Sequence, residues 1–349
     1  MQYGPIPTNL LERVALWAGK VPVPLLDALF SIMKARGLMA AVSLGVFDAL
    51  RDTPRSAPDL AGELKLDAQS LELLLRSLVW AGYLEQQGKR YMLSTLSRKT
   101  MVAGAEMELT GFVQWNYVQW RMVEQMETLL KTGKGVDFHQ TMTNPEEWAW
   151  YQKGMMEVAR FDAPILAKTI PVMKGARKLL DVAGSHGLLG AAICRKHPPL
   201  RSTVIDLPSA IEHAKALAKA AGISDVVDHE AGDIMVADLG ADNDVALLAN
   251  IVHHFMPEQN LQLLKRVCAS MSEGGTVAIW ELETPDPESR PSEGDGAALY
   301  FRITSTALCY SGKEYSRWLR EAGFAKIRVV RPALSPGSVL VVGRKIQGS

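Results

Sequence analysis

From Lys178 onward, short apolar runs alternate with longer amphipathic stretches. The runs are 178–182, 202–206, 226–230, 244–250 and 276–281. Between them, apolar residues recur at helical spacing over 187–197, Pro208–Gly222 and Pro257–Met271, the last ending at Gly274-Gly275. Strand–helix alternation predicts a mainly parallel, Rossmann-like α/β sheet with helices on both faces. A helix over Lys313–Gly323 and two closely spaced runs, 325–331 and 338–344, complete a seven-stranded sheet with an antiparallel finish.

The N-terminal pattern differs. An amphipathic piece, Asn9–Gly19, carries Leu10, Leu11, Val14, Leu16 and Trp17, which need cover. Residues 26–50 read as one apolar helix. Ser56 and Pro58 mark a short helix, and Asp67 to Gly82 a second, with an N-cap and a glycine stop. Two short strands flank Gly88 between Tyr83 and Leu93. Helices followed by a hairpin make a winged helix. Residues 104–170 read as helical, over Glu106–Lys131 and Pro145–Ile170, and are rich in methionine and aromatics. A polar connection, Gly133–Asn144, holds Phe138 and His139. Three segments follow: an arm and mostly helical winged-helix domain (1–103), a helical linker (104–170) and the sheet domain (171–349).

A winged helix raises DNA binding. Between Arg51 and Lys99 there are eight Lys/Arg against six Asp/Glu, and the helix from Asp67 is leucine-rich with one arginine. A DNA reader needs a basic face there. The module reads as a dimerisation element, with no nucleic-acid partner.

Composition narrows the class. The 349 residues are 48% apolar, and Lys+Arg and Asp+Glu both number 38, so no net field draws the chain to nucleic acid or anionic membrane. Cys194, Cys268 and Cys309 form no metal spacing and no disulfide framework, consistent with a reducing cytoplasm. No signal-peptide pattern and no membrane-length apolar run stands in the sequence. The expectation is a cytoplasmic protein without metal.

The chemistry collects at the strand ends, where open parallel sheets bind ligands. Asp181, Gly184, Asp206, Asp233, His253, His254, Glu281 and Glu283 all fall there. Each alone has a bland reading as a turn former or helix cap. Gly184 and Gly187 permit close backbone approach, and Asp206 follows Gly187 by nineteen residues, at the end of the next run. No full dinucleotide glycine motif and no Lys-Ser/Thr phosphate element is present.

The stretches Leu180-Asp-Val-Ala-Gly-Ser-His-Gly187, Val204-Ile-Asp-Leu-Pro208, Gly232-Asp-Ile-Met235 and Asn250-Ile-Val-His-His-Phe255, with Glu273-Gly-Gly275 running into Glu281, resemble one family. It is the class I S-adenosylmethionine-dependent methyltransferases. Within it, the chain is most similar to small-molecule O-methyltransferases of the plant caffeate and flavonoid and bacterial polyketide type. The resemblance spans nearly the whole chain. It implies S-adenosyl-L-methionine as cofactor, S-adenosyl-L-homocysteine as product and a homodimer formed through the N-terminal domain.

The resemblance also implies roles. Asp206 would accept both ribose hydroxyls, Gly184 would border the amino-acid portion, and Asp233 would lie by the adenine amino group between Ile234 and Phe255. Asp181, Leu207 and Asn250 complete that cofactor set. His253 occupies the general-base position, with Glu281 orienting it; an imidazole can take a phenol proton near neutral pH. Trp148, Met155, Met156, Phe161, His254 and Phe301 are the expected substrate-pocket residues, methionine being adaptable to flat apolar ligands. The expected reaction is O-methylation of an aromatic or polyketide-type secondary metabolite. The alternatives are N- or C-methylation, or a relative that keeps the cofactor without transferring methyl.

The sequence departs from the family at several points. Ala183 replaces a common glycine, His186 stands in the turn without an evident purpose, and Ala249 replaces a lysine. The second acidic partner of the histidine would fall on Cys309, with Glu314 five residues later, and which of them takes that place stays open.

Overall fold

The computed structural model describes residues 4–136, 142, 144–284, 288, 291, 293–304, 308–335 and 337–346. Phe138, His139 and part of the 286–300 loop lie outside the described residues. The chain divides into two compact units, Met1–Tyr117 and Val118–Ser349, the division falling inside the helix Thr110–Val123.

In the first unit, the apolar stretch expected as one helix is two, Val23–Ser43 and Val46–Ala49. The break is at Gly45, whose φ of 73° lies in the left-handed region that glycine adopts without strain. Ser56 and Asp67 cap the helices Ala57–Leu64 and Ala68–Trp80 through their side-chain oxygens. Strands β2 (Leu84–Gln87) and β3 (Arg90–Leu93) form the wing hairpin, and a two-residue strand, β1 (Arg55–Ser56), adds to the free edge of β3. Leu71, Leu75 and Leu78 supply the buried stripe of the Ala68 helix. The helix Leu10–Trp17 buries none of its residues, and the helix Val23–Ser43 buries only Met39 and Ala41. Leu25, Leu29, Ile32 and Met33 are all at least half exposed. An apolar surface of this kind marks an interaction face.

The second unit is built on one sheet of order β6-β5-β4-β7-β8-β10-β9. Its strands are β4 (Lys178–Val182), β5 (Arg201–Asp206), β6 (Val227–Ala231), β7 (Asn243–Ala249), β8 (Met271–Leu282), β9 (Phe324–Val330) and β10 (Ser338–Lys345). The first five run parallel, and β10 is antiparallel to both β8 and β9. One expectation is corrected here: β8 begins at Met271, straight after the helix Pro257–Ser270, so Gly274-Gly275 lie within the strand rather than in a turn. Met271 pairs with Asn243, then pairing jumps to Thr276 with Val245; the intervening bulge uses Gly274 at φ 76°.

Alternation along each strand divides the core. Leu180, Val182, Ala246 and Leu248 face the helices Pro257–Ser270 and Gly312–Glu321, with Trp318 and Tyr315. Leu179, Val245, Leu247 and Trp280 face the helices Pro145–Thr169 and Leu188–Lys196. Both faces are covered, which is why these strands read as continuous apolar runs. The chain leaves β4 toward β5 on one side and returns to β7 on the other, so the crevice between the carboxyl ends of β4 and β7 is the switch point.

Gly190 shows how tightly the helix Leu188–Lys196 packs on the sheet beneath it. A Cβ there would lie 2.6 Å from Ser202 Oγ and 2.8 Å from Asp181 Oδ2. Gly190→Ala is expected to lower stability: overpacking costs about 1–3 kcal/mol, against about 1 kcal/mol gained by alanine in a helix. The midpoint of chemical denaturation reads this, and a raised midpoint would contradict the packing described.

Candidate active site

The turn after β4 is strained and held from three sides. Ala183 and Ser185 adopt φ of 54° and 46°, unusual for residues with a Cβ, at roughly 1–3 kcal/mol each. The Ser185 N–H donates to Asp206 Oδ2 at 2.9 Å. The Ser185 carbonyl lies 3.1 Å from His229 Nε2. Gly184 is required because a Cβ would sit 2.3 Å from the Asp181 carboxyl carbon; Gly187, at φ 74°, abuts Val227 and Val204.

His186 has a purpose after all. Its Nδ1 accepts the Leu188 N–H at 3.1 Å, satisfying one of the orphan donors at the start of the helix Leu188–Lys196. The N-cap, Gly187, has no side chain to do so. Burial pushes the His186 pKa down to about 4, against a hydrogen bond with the Met155 backbone.

Asp206 closes β5. Its Oδ1 accepts the Leu207 N–H at 2.7 Å, besides the bond from Ser185. Burial raises its pKa and these two N–H groups oppose the rise. Asp233 forms a tight turn, its Oδ1 accepting the Met235 N–H at 2.9 Å, while Arg266 donates to the carbonyls of Ile234 and Ala237. Asn250, at φ 54°, follows β7 directly, its N–H donating to the Trp280 carbonyl.

These groups line a cavity of about 590 Å³. Its wall includes Ala183, Ser185, Asp206 and Leu207 on one side and Asp233, Ile234, Asn250 and Phe255 on another, with Trp148 and His254. A carboxylate at the second strand's end, an apolar pair and exposed turn backbone suit an adenosine with unmodified ribose hydroxyls.

Next to the cavity lies a buried pair. His253 Nδ1 is 2.8 Å from Glu281 Oε2, and Glu281 Oε1 accepts the Val252 N–H at 2.8 Å. His253 is 3% exposed and Glu281 1%. Asn260 fixes the turn by donating to the carbonyls of Val252 and Phe255. The His253 ring centroid lies 4.2 Å from that of His254 and 4.5 Å from that of Phe301. Glu314 is occupied elsewhere: its Oε2 accepts from the Ser311 N–H and hydroxyl in a capping box. Cys309 lies near enough to Glu281 to feel its charge, and burial with that charge pushes its thiol up to about 12. Glu283 holds Arg331 and the Gly312 N–H, a structural task.

Not every expected residue meets the cavity. Asp181 follows the pleat of β4 onto the face of Leu179 and is 1% exposed beneath the helix Leu188–Lys196; burial and the Asp206 charge raise its pKa to about 7. It lies behind the cavity wall, as does Gly184. Met155, Met156 and Phe161 are also off that wall; Met156 is core and Phe161 is 40% exposed. Sequence reading missed Tyr151 and Gln152, which join Trp148 on the wall. Positions i, i+3 and i+4 share one helix face, and that spacing was the available signal. Ser185 was seen but had been given no role.

A nucleotide-type crevice beside a buried histidine–carboxylate pair suits an enzyme that works with an adenosyl cofactor. A profile of the O-methyltransferase domain matches residues 115–325, and one of the O-methyltransferase dimerisation domain matches residues 26–103. The chain is 31% identical over 329 residues to a 3-hydroxy-5-methyl-1-naphthoate 3-O-methyltransferase of Streptomyces sahachiroi, covering 92% of this chain and 94% of the relative. It is 25% identical to the N,N-dimethyltransferase OxyT of Streptomyces rimosus, over 89% of this chain and 93% of that one. Human N-acetylserotonin methyltransferase in complex with SAM shares the fold at a TM-score of 0.83, with 18% identity, over 98% of this chain and 100% of that chain. The chain belongs to the O-methyltransferase family: it is an S-adenosylmethionine-dependent methyltransferase with a dimerisation domain. Among the described residues no helix is long and apolar enough to cross a membrane.

The turn predicts a pH dependence. An unfolded histidine titrates near 6.5 and His186 in the fold near 4. Between those values the unfolded chain holds the extra proton, so stability rises with pH across the window and is lost as pH falls through it. The loss attributable to His186 is about 2–3 kcal/mol. Denaturation of wild type and His186→Asn from pH 7 to 4.5 tests this; equal slopes would contradict the assignment.

Proposed function

We propose that the protein O-methylates a phenolic hydroxyl of an aromatic or polyketide-type secondary metabolite, with His253 as general base. The observation that carries the reading is the 2.8 Å contact between His253 Nδ1 and the buried carboxylate of Glu281. That bond holds a proton on Nδ1 and makes Nε2 the basic nitrogen, the nitrogen that takes the phenol proton. S-adenosylmethionine supplies an electrophilic methyl group. Asp206 would bind the ribose, Ile234 and Phe255 would flank the adenine, and Asp233 would hold its amino group. Trp148, His254 and Phe301 bound the substrate side. Asp181, Gly184 and Met156 support that wall from behind. Alignment of the reacting atoms supplies much of the rate. The exposed Leu25, Leu29, Ile32 and Met33 support a homodimer in which a second copy covers them. Three free thiols, Cys194, Cys268 and Cys309, fit work in the cytoplasm.

A second reading has its own support. Cys309, a neutral thiol, stands beside Glu281 where a second carboxylate was sought, and one relative is named an N,N-dimethyltransferase. N-methylation by positioning is that reading.

Incubation with methyl-labelled cofactor and 3-hydroxy-5-methyl-1-naphthoate, alongside other hydroxynaphthoates and arylamines, separates the two. Label on a phenolic oxygen is expected. His253→Ala is expected to lower kcat by about 10²–10³-fold while the affinity for S-adenosylhomocysteine stays within about twofold of wild type. Label on nitrogen or carbon alone, or a kcat unchanged by the substitution, would refute the proposal.

A further inference from the structure

We propose that Gln152 is a cofactor-binding residue whose Oε1 accepts a hydrogen bond from a ribose hydroxyl of the adenosyl ligand. The inference rests on the cofactor site described above and adds a contact from a different element, the helix Pro145–Thr169.

Gln152 is 1% exposed and lines the cavity with Trp148 and Tyr151. Its amide nitrogen donates to the Ala210 carbonyl at 3.1 Å. A carbonyl accepts and cannot donate, so this bond fixes which end of the amide is nitrogen. The other end, Oε1, is buried without a hydrogen-bond partner. A buried acceptor without a partner is costly, and a donor brought by the ligand removes that cost.

The position selects the donor. Ala210 lies in the first turn of the helix Pro208–Ala220, which starts immediately beyond Asp206 and Leu207. The neighbouring Tyr151 has its pKa raised by burial and then by the Asp206 charge, which sets this helical turn at the Asp206 end of the cavity. The groups an adenosyl ligand presents there are the ribose hydroxyls. Asp206 already accepts the Ser185 and Leu207 N–H groups. A second acceptor on the opposing helix lets each hydroxyl find a partner without crowding one carboxylate. A purely structural role explains the amide nitrogen and leaves the oxygen without a use.

Calorimetric titration of the full chain tests this. The probes are S-adenosylhomocysteine, 5′-methylthioadenosine, which keeps the ribose and lacks the amino acid, and the 2′-deoxy and 3′-deoxy forms of methylthioadenosine. Wild type should bind the parent nucleoside more tightly than either deoxy form. In Gln152→Met, the discrimination against one deoxy form should shrink by about fivefold, as expected for one lost hydrogen bond in a double-mutant cycle. Gln152→Leu serves as a second variant, with melting of the ligand-free protein showing that each is folded. Equal weakening of all three nucleosides would mean a structural role and overturn the proposal. Weakening of S-adenosylhomocysteine alone would place the contact on the amino-acid portion and overturn it too. If wild type bound none of the probes, the cofactor reading itself would fall.

Discussion

A carboxylate at 1% exposure must be fully partnered or the fold loses several kcal/mol, and Glu281 is that carboxylate. It sits at the end of β8 and engages both the Val252 N–H and the His253 ring. Its partners come from the turn after β7, the neighbouring parallel strand. The pairing of two strands thus becomes the orientation of one imidazole. Asn260, on the next helix, fixes the same turn from the other side through two carbonyls. Removing Glu281 would leave the Val252 N–H unpaired and let the ring rotate.

The cofactor side obeys a similar constraint. Asp206 holds the turn after β4 through Ser185, and that turn carries two residues at positive φ. Such strain persists only where surrounding structure over-determines it. Here His229, His186 and the glycines at 184 and 187 do so. Ala183 and Ser185, both strained, are on the cavity wall, and so is Asn250, at the end of β7. The two strand ends flanking the topological switch therefore both present strained backbone to the ligand.

Much of this was legible in the residues. Continuous apolar runs separated by 3.6-period stretches carried the seven strands and their order of appearance, and Asp206, Asp233 and the His253-His254 turn were read at strand ends that line or adjoin one cavity. What escaped depended on geometry that no local pattern holds. Asp181 looked like Asp206 in the sequence, yet the pleat turns it away from the cavity and under a helix. Gly274-Gly275 looked like a turn and serve a bulge, because β8 starts pairing at Met271, directly after the helix, and is brought into its final register only at Thr276. His186 had no explanation until the structure showed a glycine N-cap needing a substitute acceptor. Glu314 and Cys309 could not be told apart until the capping box claimed the glutamate.

The account turns on Glu281 acting through His253 and not merely filling the core. The most direct measurement is the kcat of methyl transfer to the best-accepted phenol by Glu281→Gln, with S-adenosylhomocysteine affinity determined in parallel. The account predicts a fall in kcat of about 10²-fold with cofactor-product affinity within about twofold of wild type. An unchanged kcat, or a loss of affinity in step with the loss of rate, would contradict it.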